Sequence, residues 1–213
     1  MQPCAESQKL PPPRLIECAL HCAGMKVFAL LAVVLFATLG CAAQSRAPAA
    51  RTLWVYKNGK FNWSGDWSFG VESVKYTDTV GVPPEGRHDL AIKGHQWGGW
   101  QPFVSADCQH DHRQCFDITP FKFLVFSAKA TVEHQTFQVG FMSSGDTADG
   151  SAIMVTPYCT GGAEPAIGEW QQCKIPLSSF KLSDTSILKF FIQDHTGLAA
   201  NKWYLDAVGF TLD

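Results

Sequence analysis

Seven tryptophans and fifteen phenylalanines stand out in a sequence of which only 17% is charged. This balance indicates a protein that uses aromatic side chains at its surface, although a large aromatic core would give the same count. Four tryptophans lie in polar segments beside glycine, where exposure is expected, and three lie in strand-like patterns, where burial is expected. The first group is Trp63, Trp67, Trp97 and Trp100, and the second is Trp54, Trp170 and Trp203.

The tight group His110-Asp111-His112 combines residue types that bind metals. Two histidines at this spacing suit zinc or copper if a further ligand approaches. The group lies between two cysteines in a very polar segment, so a solvated loop is the favoured interpretation. The segment Gln193-Asp194-His195-Thr196-Gly197 is a second polar turn, with side chains that could bind a ligand or only form the turn.

No catalytic residues are predicted. A glycosidase needs two carboxylates on either side of the scissile bond, and none of the five glutamates after residue 43 lies at the centre of an apolar strand. The sequence also lacks a G-x-S-x-G turn, a glycine-rich phosphate loop and an H-E-x-x-H motif. A small glycoside hydrolase or polysaccharide lyase, built on aspartates, remains an alternative.

The amino-terminal region is typical of a secretory leader. Met25 and Lys26 precede an apolar run of 13 residues, Val27 to Leu39, followed by small residues near Ala43. The run is shorter than the roughly 20 residues of a membrane span, so we interpret 25–43 as a signal peptide. Residues 1–24 are then an upstream extension and 44–52 a short leader. A lipid anchor at Cys41 is disfavoured.

Four of the eight cysteines follow the signal peptide, and an even number in a secreted chain indicates disulfides. Of the three possible connectivities we favour the two local pairs, Cys108–Cys115 and Cys159–Cys173. Asn62 begins an Asn-Trp-Ser sequon, which predicts glycosylation if the site is exposed and the source is eukaryotic.

The rest of the chain predicts an all-β fold. About ten short β-branched and aromatic runs end at Gly, Pro, Asp or Ser, and no segment keeps a helical period. This pattern favours an antiparallel β-sandwich or jelly roll over residues 53–213. The expected strands are Leu53–Tyr56, Ser73–Thr77, Asp89–Lys93, Trp100–Val104, Phe121–Ala130, Thr136–Phe141, Ala152–Thr156, Trp170–Ile175, Leu188–Gln193 and Trp203–Leu212, with one helical turn over 176–180.

Asp206 lies within the last expected strand. Strict alternation places it on one face with Tyr204, Val208 and Phe210, three residues that favour a core. A buried carboxylate needs backbone donors, a cation or a metal. A structural calcium ion and a set of loop N–H groups are equally good explanations.

Several motifs together resemble secreted β-jelly-roll carbohydrate-binding modules with a galactose-binding-like sandwich. The best are the closing strand Trp203-Tyr204-Leu205-Asp206 and the segment Trp97-Gly98-Gly99-Trp100-Gln101-Pro102, supported by the early segment 62–68. The resemblance covers most of 53–213. In those relatives that hold a structural calcium ion, the aspartate of the closing strand is often a ligand, so the resemblance implies this role for Asp206. Tyr56-Lys57-Asn58 departs from the pattern, because an acidic ligand often stands there.

A sugar ring packs its C–H face on an aromatic plane and directs its hydroxyls to polar side chains. We therefore predict a secreted, non-catalytic protein, extracellular or in a cell wall, that binds a polysaccharide or glycan. An extracellular coat protein is a further alternative. The net charge of −2 argues against nucleic-acid binding, and removal of the apolar run argues against membrane insertion of the mature chain. We also expect a monomer that requires no cofactor. The predicted ligand-binding residues are Trp63, Trp67, Trp97, Trp100, Gln101, Gln193 and Asp194.

Overall fold

A computed structural model describes residues 52–144, 146–162 and 166–213. The upstream extension, the signal peptide and nearly all of the short leader lie outside these residues, so those assignments stay predictions. Within the described ranges, no helix is long and apolar enough to cross a membrane.

The described chain is an antiparallel all-β structure of thirteen strands, as the sequence predicted, with four short 3-10 helices and no α-helix among the described residues. The four 3-10 helices are Ala106–Gln109, His112–Gln114, Thr156–Tyr158 and Leu177–Phe180, the last of which was expected. The strands are β1 (Thr52–Lys57), β2 (Lys60–Phe61), β3 (Gly65–Asp66), β4 (Phe69–Asp78), β5 (Asp89–Trp100), β6 (Pro102–Phe103), β7 (Phe116–Asp117), β8 (Phe123–Ala130), β9 (Phe137–Ser143), β10 (Ala148–Met154), β11 (Trp170–Pro176), β12 (Ser186–Asp194) and β13 (Ala200–Thr211).

The strands form two layers that share strand β5. In the first layer, β12 lies between β9 and the carboxyl end of β5, with β10 beyond β9. In the second layer, β13 lies between β8 and the amino-terminal part of β5, with β11 beyond β8. Because β5 pairs with β13 in its first half and with β12 at its end, the layers are continuous.

Aromatic side chains from both layers meet in the core. The rings of Phe190 on β12 and Phe210 on β13 lie 5.7 Å apart, and Phe137 on β9 lies 5.3 Å from Trp203 on β13. All four are almost completely buried. Burial of each such ring stabilises the fold by roughly 1.5–3 kcal/mol, so these contacts hold the two layers face to face.

Strand β13 contains a bulge that the sequence pattern did not show. Its register shifts between Asp206 and Gly209, and Ala207 has a φ of 50°. The bulge places Leu205 and Val208 in the core, while the ring of Tyr204 lies beside Trp170 on the outer side. The prediction that Tyr204, Asp206, Val208 and Phe210 share one face is therefore wrong, because a bulge breaks strict alternation.

Both predicted disulfides are present, Cys108–Cys115 and Cys159–Cys173. Trp203 is buried as predicted, but Trp54 and Trp170 are only half-buried on the outer side of the second layer, which corrects their assignment to the core. Residues 97–99, which lie between two expected strands, belong instead to the end of the long strand β5.

Candidate functional site

The outer surface of the first layer carries the exposed aromatic side chains. Along β12, Phe190 and Ile192 point into the core, so alternation directs Lys189, Phe191 and Gln193 to the outside. The strand thus presents a cation, a ring and an amide in a row on the surface of the layer.

Two glycines on neighbouring strands make room for rings on this surface. Gly140 pairs with Phe191 in the register between β9 and β12, and Gly99 pairs with Phe69 between β4 and β5. A Cβ atom at Gly140 would lie 2.5 Å from Cζ of Phe191, and one at Gly99 would lie 2.7 Å from Cζ of Phe69. The two rings therefore lie close against the strands, with their centroids 6.0 Å apart.

Trp67 extends the row of rings at one side. Its indole stacks on Phe103 with 4.4 Å between centroids and an interplanar angle of 26°. The Nζ atom of Lys189 lies 4.5 Å from the centroid of Trp67 and 2.6 Å from Oδ1 of Asp146. Since Lys189 is only 5% exposed, its charge is held between the indole and the carboxylate.

A hydrogen-bond chain from the core fixes the turn that carries Trp67. Trp100 Nε1 donates to the hydroxyl of Tyr76 at 3.2 Å, and that hydroxyl donates to Oδ2 of Asp66. Oδ1 of Asp66 accepts the backbone N–H of Ser68 at 3.1 Å. Burial, together with the bond to Asp66, raises the pKa of Tyr76 above its usual range, so the hydroxyl stays protonated and keeps donating.

Trp97 is the most exposed ring of the surface, at 42%. His195 contacts it at 4.7 Å between centroids, and Gln193 Nε2 donates to its backbone carbonyl at 2.6 Å. The backbone of Trp97 has a φ of 63°. We call the surface formed by these outward side chains the aromatic face. Its rings are Trp67, Phe69, Trp97, Phe103 and Phe191, and its polar members are Gln138, Lys189 and Gln193.

The structure brings together Trp67, Trp97 and Gln193 from the predicted site but not the other predicted residues. Trp100 is 0% exposed because it packs in the core, which corrects its assignment as a ligand contact. Trp63 packs against the core rings Phe190 and Phe116, at 5.4 and 5.5 Å.

Gln101 and Asp194 are buried and are likewise corrected as ligand contacts. The Nε2 atom of Gln101 lies 3.6 Å from the sulfur of Met142. Oδ1 of Asp194 accepts both the backbone N–H and the hydroxyl of Thr196, at 2.9 and 2.7 Å. Asp194 thus stabilises its own turn.

Sequence reasoning missed Phe69, Phe103, Phe191 and Lys189. Phe191 and Lys189 alternate with buried residues in the segment Leu188-Lys189-Phe190-Phe191-Ile192-Gln193, a pattern that places a ring and a cation on the outer face.

Asp206 is fully buried. Its Oδ1 atom accepts the backbone N–H of Asn58 at 3.4 Å, and its Oδ2 atom has no hydrogen-bond partner within the described residues. In the described ranges, no three His, Cys, Asp or Glu side chains are arranged to hold a metal ion. Backbone N–H groups therefore account for part of the hydrogen bonding of Asp206, and a calcium ion at Asp206 stays a prediction.

The other candidate polar groups have local partners. Asp111 pairs with Arg113 at 3.0 Å, and His112 Nε2 lies 2.7 Å from the hydroxyl of Ser144. The Asn62 side chain is exposed, and its Nδ2 donates to the carbonyl of Trp54 at 3.0 Å. Glycosylation at Asn62 stays a prediction.

Solved structures with the same fold are distant in sequence. The family 30 carbohydrate-binding module of the cellulosomal cellulase Cel9D-Cel44B of Clostridium thermocellum is 16% identical, with a TM-score of 0.53 over 76% of this chain and 98% of that one. A second family 30 module is 16% identical, with a TM-score of 0.51 over 76% and 88% of the two chains. At this identity the likeness shows the fold alone. No curated protein matches the chain.

The family model described as carbohydrate binding domain 30 matches residues 52–211. The match includes every strand of both layers and the whole aromatic face. The chain therefore belongs to the carbohydrate binding domain 30 family.

Proposed function

We propose that the chain is a secreted, non-catalytic carbohydrate-binding protein and that the aromatic face binds a polysaccharide. The single observation that carries the proposal is the row of rings on the outside of the first layer, because partly exposed rings in a row provide a surface on which sugar rings can stack. Trp97 at 42% exposure and the half-exposed Trp67 are the two indoles of that row. Sugar rings would stack on them through their C–H faces.

Polar side chains between the rings would bind the sugar hydroxyls. Gln138 and Gln193 are paired in the register of β9 and β12 and are half-exposed. Each amide can donate and accept hydrogen bonds. Since the one cation of the face, Lys189, is already paired with Asp146, the face favours a neutral glycan over an acidic one.

The ligand class to test first is a β-glucan, because the family 30 module with the same fold is part of a cellulosomal cellulase. The experiment is retention on insoluble cellulose, chitin and xylan. We expect retention on at least one of them and its loss in the double variant Trp67→Ala/Trp97→Ala. Absence of retention on every glycan would overturn the proposal and favour an extracellular coat protein.

Secretion is part of the proposal. The apolar run after Met25 and the two disulfides both suit an oxidising, extracellular location. Expression of the full chain in a secreting host, followed by mass spectrometry of the protein in the medium, tests this. We expect a chain beginning after residue 43, and retention of residues 25–43 on an intracellular product would contradict secretion.

A further inference from the structure

A groove lies on the outer side of the second layer, away from the aromatic face. It has a volume of about 410 Å³, within the range of roughly 300–1,000 Å³ that is usual for small-ligand pockets. We call it the Trp54 groove. Its main lining residues are Trp54, Glu85, Ser127, Tyr158, Gln172 and Lys174.

Neighbouring strands of the second layer bring the lining residues of the groove together. The registers place Lys174 beside Val125, Val125 beside Gly209, and Gly209 beside Trp54 across β11, β8, β13 and β1. A Cβ atom at Gly209 would lie 2.9 Å from Cε3 of Trp54. The indole therefore lies close over the bare backbone of β13 and forms one end of the groove.

Both ends of the groove are held in place. Lys57 Nζ lies 2.6 Å from Oε2 of Glu85 and 4.2 Å from the centroid of Trp54. At the other end, the disulfide between Cys159 and Cys173 ties the preceding turn to β11. A site fixed in this way loses little entropy when a ligand binds.

Three polar groups in the groove have unused hydrogen-bonding capacity. The hydroxyls of Ser127 and Tyr158 and the side-chain amide of Gln172 have no hydrogen-bond partner among the residues that the structure describes. Hydroxyls and an amide beside a half-exposed indole supply both kinds of contact that a sugar ring requires.

We propose that the Trp54 groove is a second saccharide site for a short glycan unit. The charges of Lys57 and Glu85 are paired with each other, and the exposed Lys174 adds a cation whose Nζ atom lies 4.3 Å from the centroid of Phe123. The groove lies on the outer side of the second layer and the aromatic face on the outer side of the first, so one glycan segment cannot occupy both. The domain would then bind two glycan segments at once.

The test uses the full chain carrying Trp67→Ala/Trp97→Ala, so that the aromatic face no longer contributes. Cellobiose, xylobiose and chitobiose are titrated separately while backbone amide shifts are followed by NMR. With at least one of these probes, we expect saturable shifts at Ser127, Gln172 and the Trp54 indole. Trp54→Ala should weaken this binding at least fivefold.

Gln172→Ala is a second groove variant that should fold normally, because Gln172 is exposed on β11 and its truncation leaves the core intact. We expect it to weaken binding about threefold to tenfold, the effect of one or two hydrogen bonds. The exposed Ile167, outside both surfaces, gives the control Ile167→Ala, which should change nothing. Any of three results would overturn the proposal. These are the absence of shifts with all three sugars, unchanged affinity in both groove variants, and shifts that depend only on protein concentration.

Discussion

The ammonium group of Lys189 lies 4.5 Å from the centroid of the Trp67 ring, and the aliphatic part of the same side chain is buried beneath that surface. The contact links the centre of β12 to the turn after β3. Trp67 thus contacts both the ring of Phe103 and the cation of Lys189. An indole supported in this way offers a fixed platform.

Removal of Lys189 should loosen this platform. Lys189→Ala removes the cation–π contact and the packing of the stem, so we expect the free energy of unfolding to fall by about 1–2 kcal/mol. The matched control is Lys93→Ala, since Lys93 forms an equally short ion pair with Glu72 but is half-exposed. Its loss should cost less than about 0.5 kcal/mol. Equal costs in urea unfolding would show that Lys189 is an ordinary surface lysine.

Gly140 should be sensitive to a single methyl group. In Gly140→Ala the new Cβ meets the Phe191 ring at 2.5 Å, so the ring must move and stability should fall by about 1–3 kcal/mol. Gly94→Ala is the control, because its Cβ would have no contact closer than 3.4 Å. We expect a change within about 0.5 kcal/mol for Gly94→Ala. Thermal unfolding of the two variants checks the difference, and an equal loss would contradict the close packing of Phe191.

Asp89 makes stability depend on pH. Burial, together with the charges of Asp78 and Asp206, raises its pKa from 3.8 to about 6, and both carboxylate oxygens lack a partner within the described residues. The folded state therefore binds this proton more tightly than the unfolded state. The resulting stability is complete below pH 3.8 and is lost as the pH rises through about 6.

Asp89→Asn should abolish this loss. We expect the free energy of unfolding of the variant, relative to that of wild type, to rise by about 2 kcal/mol between pH 4 and pH 7.5, measured by urea unfolding. The control Asp117→Asn should change little over this range, because Thr119 lowers the pKa of that exposed carboxyl from 3.8 and its contribution is lost only at lower pH. Parallel pH profiles for wild type and Asp89→Asn would contradict the account.

The fold was predictable because its signals are local. Short apolar runs between turn residues predict strands, and cysteines 7 and 14 residues apart favour local disulfides. The bulge at Ala207 was not predictable, because nothing in the residue type requires its φ of 50°. One extra residue there reversed the faces of Tyr204 and Asp206.

The candidate site was predictable only in part, because exposure depends on distant strands. Trp100 and Trp97 lie three residues apart in one glycine-rich segment, yet one is 0% and the other 42% exposed. Their difference follows from how β5 passes between the two layers. The ring of Phe191 lies close against β9 because Gly140, some fifty positions earlier, has no side chain.

The central claim is that the aromatic face binds glycan, and calorimetric titration with cellohexaose tests it most directly, with xylohexaose and chitohexaose as alternatives. We expect Trp67→Ala and Trp97→Ala each to weaken binding by roughly tenfold or more. Trp170→Ala, a half-buried tryptophan of the other layer, should leave the affinity unchanged once folding is verified. Undiminished binding by the double variant Trp67→Ala/Trp97→Ala would contradict the claim.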